Sequence, residues 1–359
     1  MYIGNLFVPK ISAAPIVSVC PQLLYTDRLN RNIQPDLRVW IEQLRSGDIR
    51  ALARAISVVE NHAPGWSDLL KALFPHSGHA RIIGLTGSPG AGKSTLVDQL
   101  ARLYRAGGND GDKSNEAKRT IGIIAVDPTS PYSGGAILGD RIRMQEHFAD
   151  PGIYIRSMAT RGSLGGLART TADVATVLDA SGRDLVLIET VGVGQDEIDI
   201  VRLADVTIVI LVPGMGDDVQ TIKAGIMEIA DIFVINKSDH EGAERVEREI
   251  RALQSLSIRH DGWTPPIVKT VASEGTGVKE LAAAIAEYEA YLQKGNHALT
   301  KSVENWQERL VTMLRDTMLE KARARFGDGN LARLAAEVAE HKRDPYTLVE
   351  EIVAEAGKK

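Results

Sequence analysis

The chain reads as short, unbroken apolar runs separated by stretches with helical spacing. Runs over 81–86, 120–126, 153–156, 184–188, 206–212, 232–235 and 267–271 are rich in Ile, Val and Leu, with almost no polar alternation. Continuous runs of this length predict strands covered on both faces, as in a parallel sheet. Apolar residues recur every three or four positions between most of them, which predicts connecting helices and a doubly wound α/β fold. Before the first run, 37–44, 48–60 and a pattern through Trp66, Leu69, Leu70, Leu73 and Phe74 predict a small helical module, with Asp48 placed to cap its second helix. After Gly277 the strand pattern stops. Helices are predicted over 278–292, 301–325, 331–341 and 346–356, the long one carrying Trp306, Leu310, Met313, Leu314 and Met318.

Two segments lack periodicity. Residues 107–118 are hydrophilic and read as a surface insertion. Residues 1–36 are broken by Pro9, Pro15 and Pro21 and carry no basic stretch before their apolar part, so a poorly ordered arm is expected rather than a secretory signal. The expected organisation is an arm over 1–36, a helical module over 37–79, an α/β domain over 80–294 and a helical extension over 295–359.

Composition narrows the classes. A chain of 359 residues with 44% hydrophobic and 25% charged residues has material for a large core. Its net charge of −5 gives no basic footprint for nucleic acid. One cysteine, Cys20, excludes a disulfide framework or a Cys-cluster metal site, and the eight histidines show no ligand spacing. No apolar run approaches the roughly 20 residues of a membrane span.

The chemistry begins after the first predicted strand. Gly87-Ser88-Pro89-Gly90-Ala91-Gly92-Lys93-Ser94-Thr95 fits the phosphate loop G-x-x-x-x-G-K-[ST], followed by helical spacing. Its glycines let backbone N–H groups wrap phosphates at a positive helix end. Lys93 is expected on the β- and γ-phosphates, and the Ser94 hydroxyl on Mg²⁺. Asp127 ends the second strand, where a carboxylate faces the ligand crevice. Glu189 ends the strand 184–188, an acidic position that would hold Mg²⁺, and Gly192 can offer its N–H to a γ-phosphate. Asn236-Lys237-Ser238-Asp239 fits N-K-x-D, in which a carboxylate accepts from guanine N1–H and the exocyclic amine. Ala272-Ser273 follows the last strand, where a backbone N–H would meet the guanine oxygen.

These blocks together resemble the MeaB/ArgK family of P-loop GTPases, chaperones of cobalamin-dependent acyl-CoA mutases. The match is carried by 87–95, 127–130, 133–141, 158–167, 189–195, 213–218, Lys223 and 236–239. The resemblance implies a doubly wound P-loop GTPase domain, GTP/GDP and Mg²⁺ as ligands, a mutase partner, a cytoplasmic location and a homodimer built through C-terminal helices. It implies catalytic roles for Lys93, Asp140 and Glu189, and a metal shell of Ser94, Asp127, Asp140 and Glu189. It further implies a third switch at Asp217, Asp218 and Lys223 that touches the mutase. Arg161 would be an internal cation for the transition state or an organiser of its loop or of the dimer. Thr129 stands where the family commonly has Ser. A metal-centre GTPase is disfavoured because no His-rich or paired Cys/His tract is present, and a transport-protein kinase because a guanine reader is unexpected there. No D-x-H-x-x-G signature occurs, so the chain is not read as the mutase itself.

The guanine assignment makes a direct prediction. Asp239→Asn is expected to shift preference from GTP to xanthosine triphosphate, whose ring presents an acceptor where guanine has an amine. Competitive nucleotide titration measures it, and equal ATP and GTP affinity in the parent would contradict the assignment.

Overall fold

The computed structural model describes residues 36–107, 118–127, 144, 147, 149–159, 166–190, 192, 203–214, 229–256 and 261–356. Nearly all of the expected arm and of the 107–118 insertion lies outside these residues. The seven apolar runs form β1 (Arg81–Gly87), β2 (Ile121–Asp127), β3 (Ile153–Ala159), β4 (Leu185–Glu189), β5 (Val206–Leu211), β6 (Ile232–Asn236) and β7 (Ile267–Thr270). Among the described residues they make one sheet in the order β3-β2-β4-β1-β5-β6-β7, every neighbouring pair parallel. Every residue of β4, β5 and β6 is buried, which is why their sequences show no alternation.

Helices cover both faces. Before the sheet come α1 (Leu37–Arg45), α2 (Ile49–Glu60) and α3 (Trp66–Leu73); α4 (Lys93–Arg105), α5 (Gly166–Ala180), α6 (Ala243–Leu256) and α7 (Val278–Gln293) accompany it. Helices α4 and α7 pack Leu96, Leu100, Leu281 and Ile285 onto Leu85, Leu187 and Ile210. On the opposite face, Leu44, Leu52 and Ile56 of the N-terminal helices share one core with Val174 and Leu178 of α5 and with Val186 and Ile188 of β4. Asp48 caps α2 as expected, accepting from Arg50 N (2.7 Å) and Ala51 N (3.1 Å). Asp179, near the end of α5, accepts from the backbone N–H groups of Gly78, His79 and Ala80, which fixes the entry into β1.

The C-terminal part is α8 (His297–Phe326), α9 (Asp328–Ala339) and α10 (Pro345–Ala356). Helix α8 is anchored at the amino-terminal edge of the sheet. There Lys301 Nζ donates to Asp231 Oδ2 (2.5 Å), Asp205 O (2.8 Å) and Tyr288 Oη (3.0 Å). Farther along, Trp306 meets Phe74 edge-on, with ring centroids 5.5 Å apart, and Arg309 pairs with Asp173 at 3.0 Å. Leu310, Leu314 and Met318 are exposed.

The parallel direction gathers Gly87, Asp127, Glu189, Asn236 and Thr270, the last residues of five strands, at one edge. Strand β1 is central, with β4 on one side and β5 on the other. Open α/β sheets place ligands at the carboxyl ends of such strands.

Candidate functional site

The phosphate loop leaves β1 at Gly87 and enters α4 at Lys93. Gly92 starts the helix in left-handed conformation (φ 88°) with no side-chain cap, so the first amides of α4 face the crevice. A Cβ on Gly92 would lie 2.3 Å from Asn236 Nδ2, so any larger residue would force these two segments apart. The turn closes through Ala91 N donating to Ser88 O at 3.1 Å. Pro89 and Gly90 form its exposed crest, Ala91 is buried, and Thr95 is half-buried on the first turn of α4. The Lys93 ammonium lies along the loop, donating to Gly87 O (2.7 Å) and Ser88 O (3.1 Å). It is thus held where loop-bound phosphate oxygens would compete for it.

Beneath the loop, Ser94 Oγ donates to Glu189 Oε1 at 2.6 Å. Glu189 is 4% exposed and Ser94 6%. A hydroxyl and a carboxylate are the hard oxygen donors that suit Mg²⁺, which is bound through one or two carboxylates plus phosphate oxygens and waters. The donor chemistry therefore fits the expected metal. The chain beyond Glu189 stays close: Thr190 N donates to Leu85 O, and Thr190 Oγ1 to Thr86 Oγ1, both at 3.1 Å. Gly192 (φ 96°) then lies on the loop itself. A Cβ there would sit 2.4 Å from Gly87 O and 2.6 Å from Lys93 Nζ. The structure thus brings Gly192, Lys93, Ser94 and Glu189 together, although the last is nearly 100 residues from the loop in sequence.

The base-reading motif is divided between two tasks. Asn236 is buried and acts as a knot. Its Nδ2 donates to Ala91 O (2.8 Å), while its Oδ1 accepts from Thr270 Oγ1 (3.0 Å) and Ala272 N (3.0 Å). One amide therefore fastens the phosphate loop to β6 and to the turn after β7. Lys237 takes a left-handed backbone (φ 54°), and Ser238 N donates to Thr270 O at 3.1 Å. That turn leaves the Asp239 side chain 54% exposed, with a 3.8 Å contact to His240. Ala272 is buried and its N–H is committed to Asn236, whereas Ser273 is exposed.

Of the remaining expected residues, Asp127 is placed by its backbone at the end of β2, and its side chain is outside the described residues. Asp140, Arg161, Asp217, Asp218 and Lys223 also lie outside them. The sequence reading passed over Thr86 and Thr270. Each is a buried hydroxyl near the carboxyl end of its strand, and with Arg81 and Lys269 also on these strands no local pattern singled them out.

Comparison with known proteins agrees with this geometry. A family model described as "Methylmalonyl Co-A mutase-associated GTPase MeaB" matches residues 52–326. A Pyrococcus abyssi protein provisionally named a GTPase is 46% identical over 318 residues, covering 88% of this chain and 95% of its own. GTPase ArgK of Escherichia coli is 36% identical over 260 residues, covering 70% of this chain and 76% of its own. A crystal structure described as LAO/AO transport system kinase superposes with a TM-score of 0.65 at 27% identity, covering 90% of this chain and 98% of that one.

The knot at Asn236 predicts a distinctive variant. Asn236→Ala leaves buried backbone and hydroxyl groups without their partner, a cost of about 1–3 kcal/mol for each group left unsatisfied. GTP and GDP affinities are expected to fall together, with a lowered Tm, because the loop and the base-side turn lose their common support. Titration of both nucleotides with a thermal melt checks this; an intact GDP affinity would contradict it.

Proposed function

We propose, from the premise that this chain belongs to the MeaB family of methylmalonyl-CoA mutase-associated GTPases, that its GTP hydrolysis gates cofactor loading and protects a cobalamin-dependent acyl-CoA mutase. The observation that carries the GTPase chemistry is the shared edge on which Asn236 ties the phosphate loop to the base-reading turn. The family match over 52–326 supports the partner.

In this reading the loop amides and the start of α4 hold the phosphates in a positive field. Lys93 exchanges its contacts with Gly87 O and Ser88 O for β- and γ-phosphate oxygens. Ser94, Glu189, Asp127 and Asp140 would hold Mg²⁺, which when bound supplies charge neutralisation at the β- and γ-phosphates. The Gly192 N–H is directed to the γ-phosphate. Asp239 accepts from the guanine N1–H and amine. Because the Ala272 N–H is spent on Asn236, the contact to the guanine oxygen falls to the Ser273 amide. Phosphoryl transfer needs little covalent participation from the protein, so positioning and electrostatics supply the rate.

The output is conformational. Segments bearing Asp127 and Asp140, Glu189 and Gly192, and Asp217, Asp218 and Lys223 report the γ-phosphate to the mutase. The chain works as a cytoplasmic homodimer joined through the extension over 295–359. The exposed Val303, Leu310, Leu314 and Met318 of α8 support that arrangement. Among the described residues no helix is long and apolar enough to cross a membrane.

Linkage requires that a partner which senses the nucleotide also changes nucleotide affinity. Purified mutase is therefore expected to stimulate GTP hydrolysis and to alter GTP affinity. Lys223→Ala should keep GTP binding and lose the stimulation. A GTPase assay with and without mutase, beside nucleotide titration, checks both. Unchanged hydrolysis and affinity with mutase present would contradict the partner; full stimulation of Lys223→Ala would contradict the switch.

A further inference from the structure

The stripe of α4 that carries Ser94 continues through Asp98, Arg102 and Arg105, at helical spacings of four, four and three. Opposite it runs the segment that leads into β3. Its backbone turns every third residue: His147 N donates to Met144 O (3.1 Å), Asp150 N to His147 O (3.0 Å) and Ile153 N to Asp150 O (3.1 Å). The repeat presents Met144, His147 and Asp150 in succession. Met144 enters the core that α4 shares with the sheet. His147 Nε2 lies 2.7 Å from Asp98 Oδ1, with side chains 7% and 11% exposed. The contact is a close imidazole–carboxylate approach. The other carboxylate oxygen of Asp98 accepts from Arg102 Nε at 2.9 Å. Two turns further along α4, the Arg105 fork grips Asp150 through Nε–Oδ2 (2.8 Å) and Nη2–Oδ1 (2.6 Å). The two elements are thus joined by a ladder of two polar rungs, the Asp98–His147 one buried.

Burial pushes the Asp98 carboxyl up, but His147 and Arg102 outweigh it and leave it below its ordinary value. Arg105 pulls Asp150 down to about 2. A buried polar contact of this kind is a poor choice for adhesion alone, since apolar residues of similar volume do as well or better. Its best-attested use is to fix register. Register matters here because of what the segment belongs to. The β2–β3 connection starts at Asp127, carries Asp140 and returns to the described structure at Met144. Its incoming end is therefore fastened to the same stripe of α4 that bears Ser94.

We infer that Asp98 and His147 are positioning residues for GTP hydrolysis: they set the register of the β2–β3 connection against the Ser94 stripe. The inference rests on the assignment of Asp127 and Asp140 to the metal shell. It predicts an effect on hydrolysis in Mg²⁺ that is separate from nucleotide binding.

The test compares Asp98→Asn, His147→Gln and the double variant in the full-length chain. Readouts are kcat for GTP, the Mg²⁺ concentration for half-maximal rate, GDP affinity in EDTA and Tm. Each single variant is expected to lose about tenfold in kcat and to need more Mg²⁺, with GDP affinity in EDTA within about twofold of the parent. The double variant should be no slower than the slower single one, because the pair acts as a unit. If Asp98→Asn does not fold, His147→Gln alone carries the comparison. Parental kcat with a lowered Tm would make the ladder merely structural and overturn the inference. So would multiplicative losses in the double variant, or a loss of GDP affinity matching the loss of kcat. Should Asp127→Ala and Asp140→Ala keep parental Mg²⁺ dependence, the metal-shell assignment fails first. A parental chain that hydrolyses no GTP overturns the proposed function together with the ladder.

Discussion

A single buried amide, Asn236, holds the nucleotide edge together. Two segments far apart in sequence meet on it: the phosphate loop at Ala91, and the end of β7 with its following turn at Thr270 and Ala272. Each such bond contributes about 0.5–1.5 kcal/mol, but each buried group left without its partner costs more. The contact also dictates sequence elsewhere. Gly92 cannot carry a side chain because Asn236 occupies the space, and Ala272 cannot give its N–H to a ligand. Phosphate binding and base reading are thereby mechanically joined before any nucleotide arrives, so little of the binding free energy goes into assembling the site.

The other side of the loop is governed by close approach. Gly192 rests on Gly87 and Lys93, and Glu189 reaches Ser94 at 2.6 Å. Thr190 and Gly192 thus keep the start of the connection after β4 against the phosphate loop. Along α4 the same surface passes from Ser94 into the Asp98–His147 contact and then to Arg105 and Asp150. One helix therefore carries Lys93 and Ser94 at its start and holds the approach to β3 along its side. The sheet makes this economical, because parallel strands deliver their carboxyl ends, and the connections that leave them, to one edge.

Much of this was legible in the sequence, and the exceptions have physical causes. The strands were readable because β4, β5 and β6 are covered on both faces, which leaves unbroken apolar runs. The phosphate loop was readable because its residues are contiguous. The N-terminal helices were legible as helices, but periodicity does not say which surface they cover; Leu44, Leu52 and Ile56 prove to share a core with α5 and β4. The long helix was legible too, while the exposure of Leu310 and Leu314 was not, because an apolar stripe looks the same whether or not something packs on it. Asn236 reads in sequence as part of a base-binding motif and acts in the structure as a knot. His147 looked like one of several scattered histidines. Its partner Asp98 lies on a different element, and no local pattern links them.

We propose that Ser94 and Glu189, 2.6 Å apart, form the metal-binding floor of a guanine-nucleotide phosphate site. The most direct test is the Mg²⁺ dependence of single-turnover GTP hydrolysis in the parent and in Ser94→Ala. Hydrolysis is expected to vanish in EDTA and to rise with Mg²⁺ in the parent, and to be slower by about 10²–10³ in Ser94→Ala at the same Mg²⁺ concentration. Hydrolysis that survives EDTA, or a Ser94→Ala curve that overlays the parent's, would contradict it.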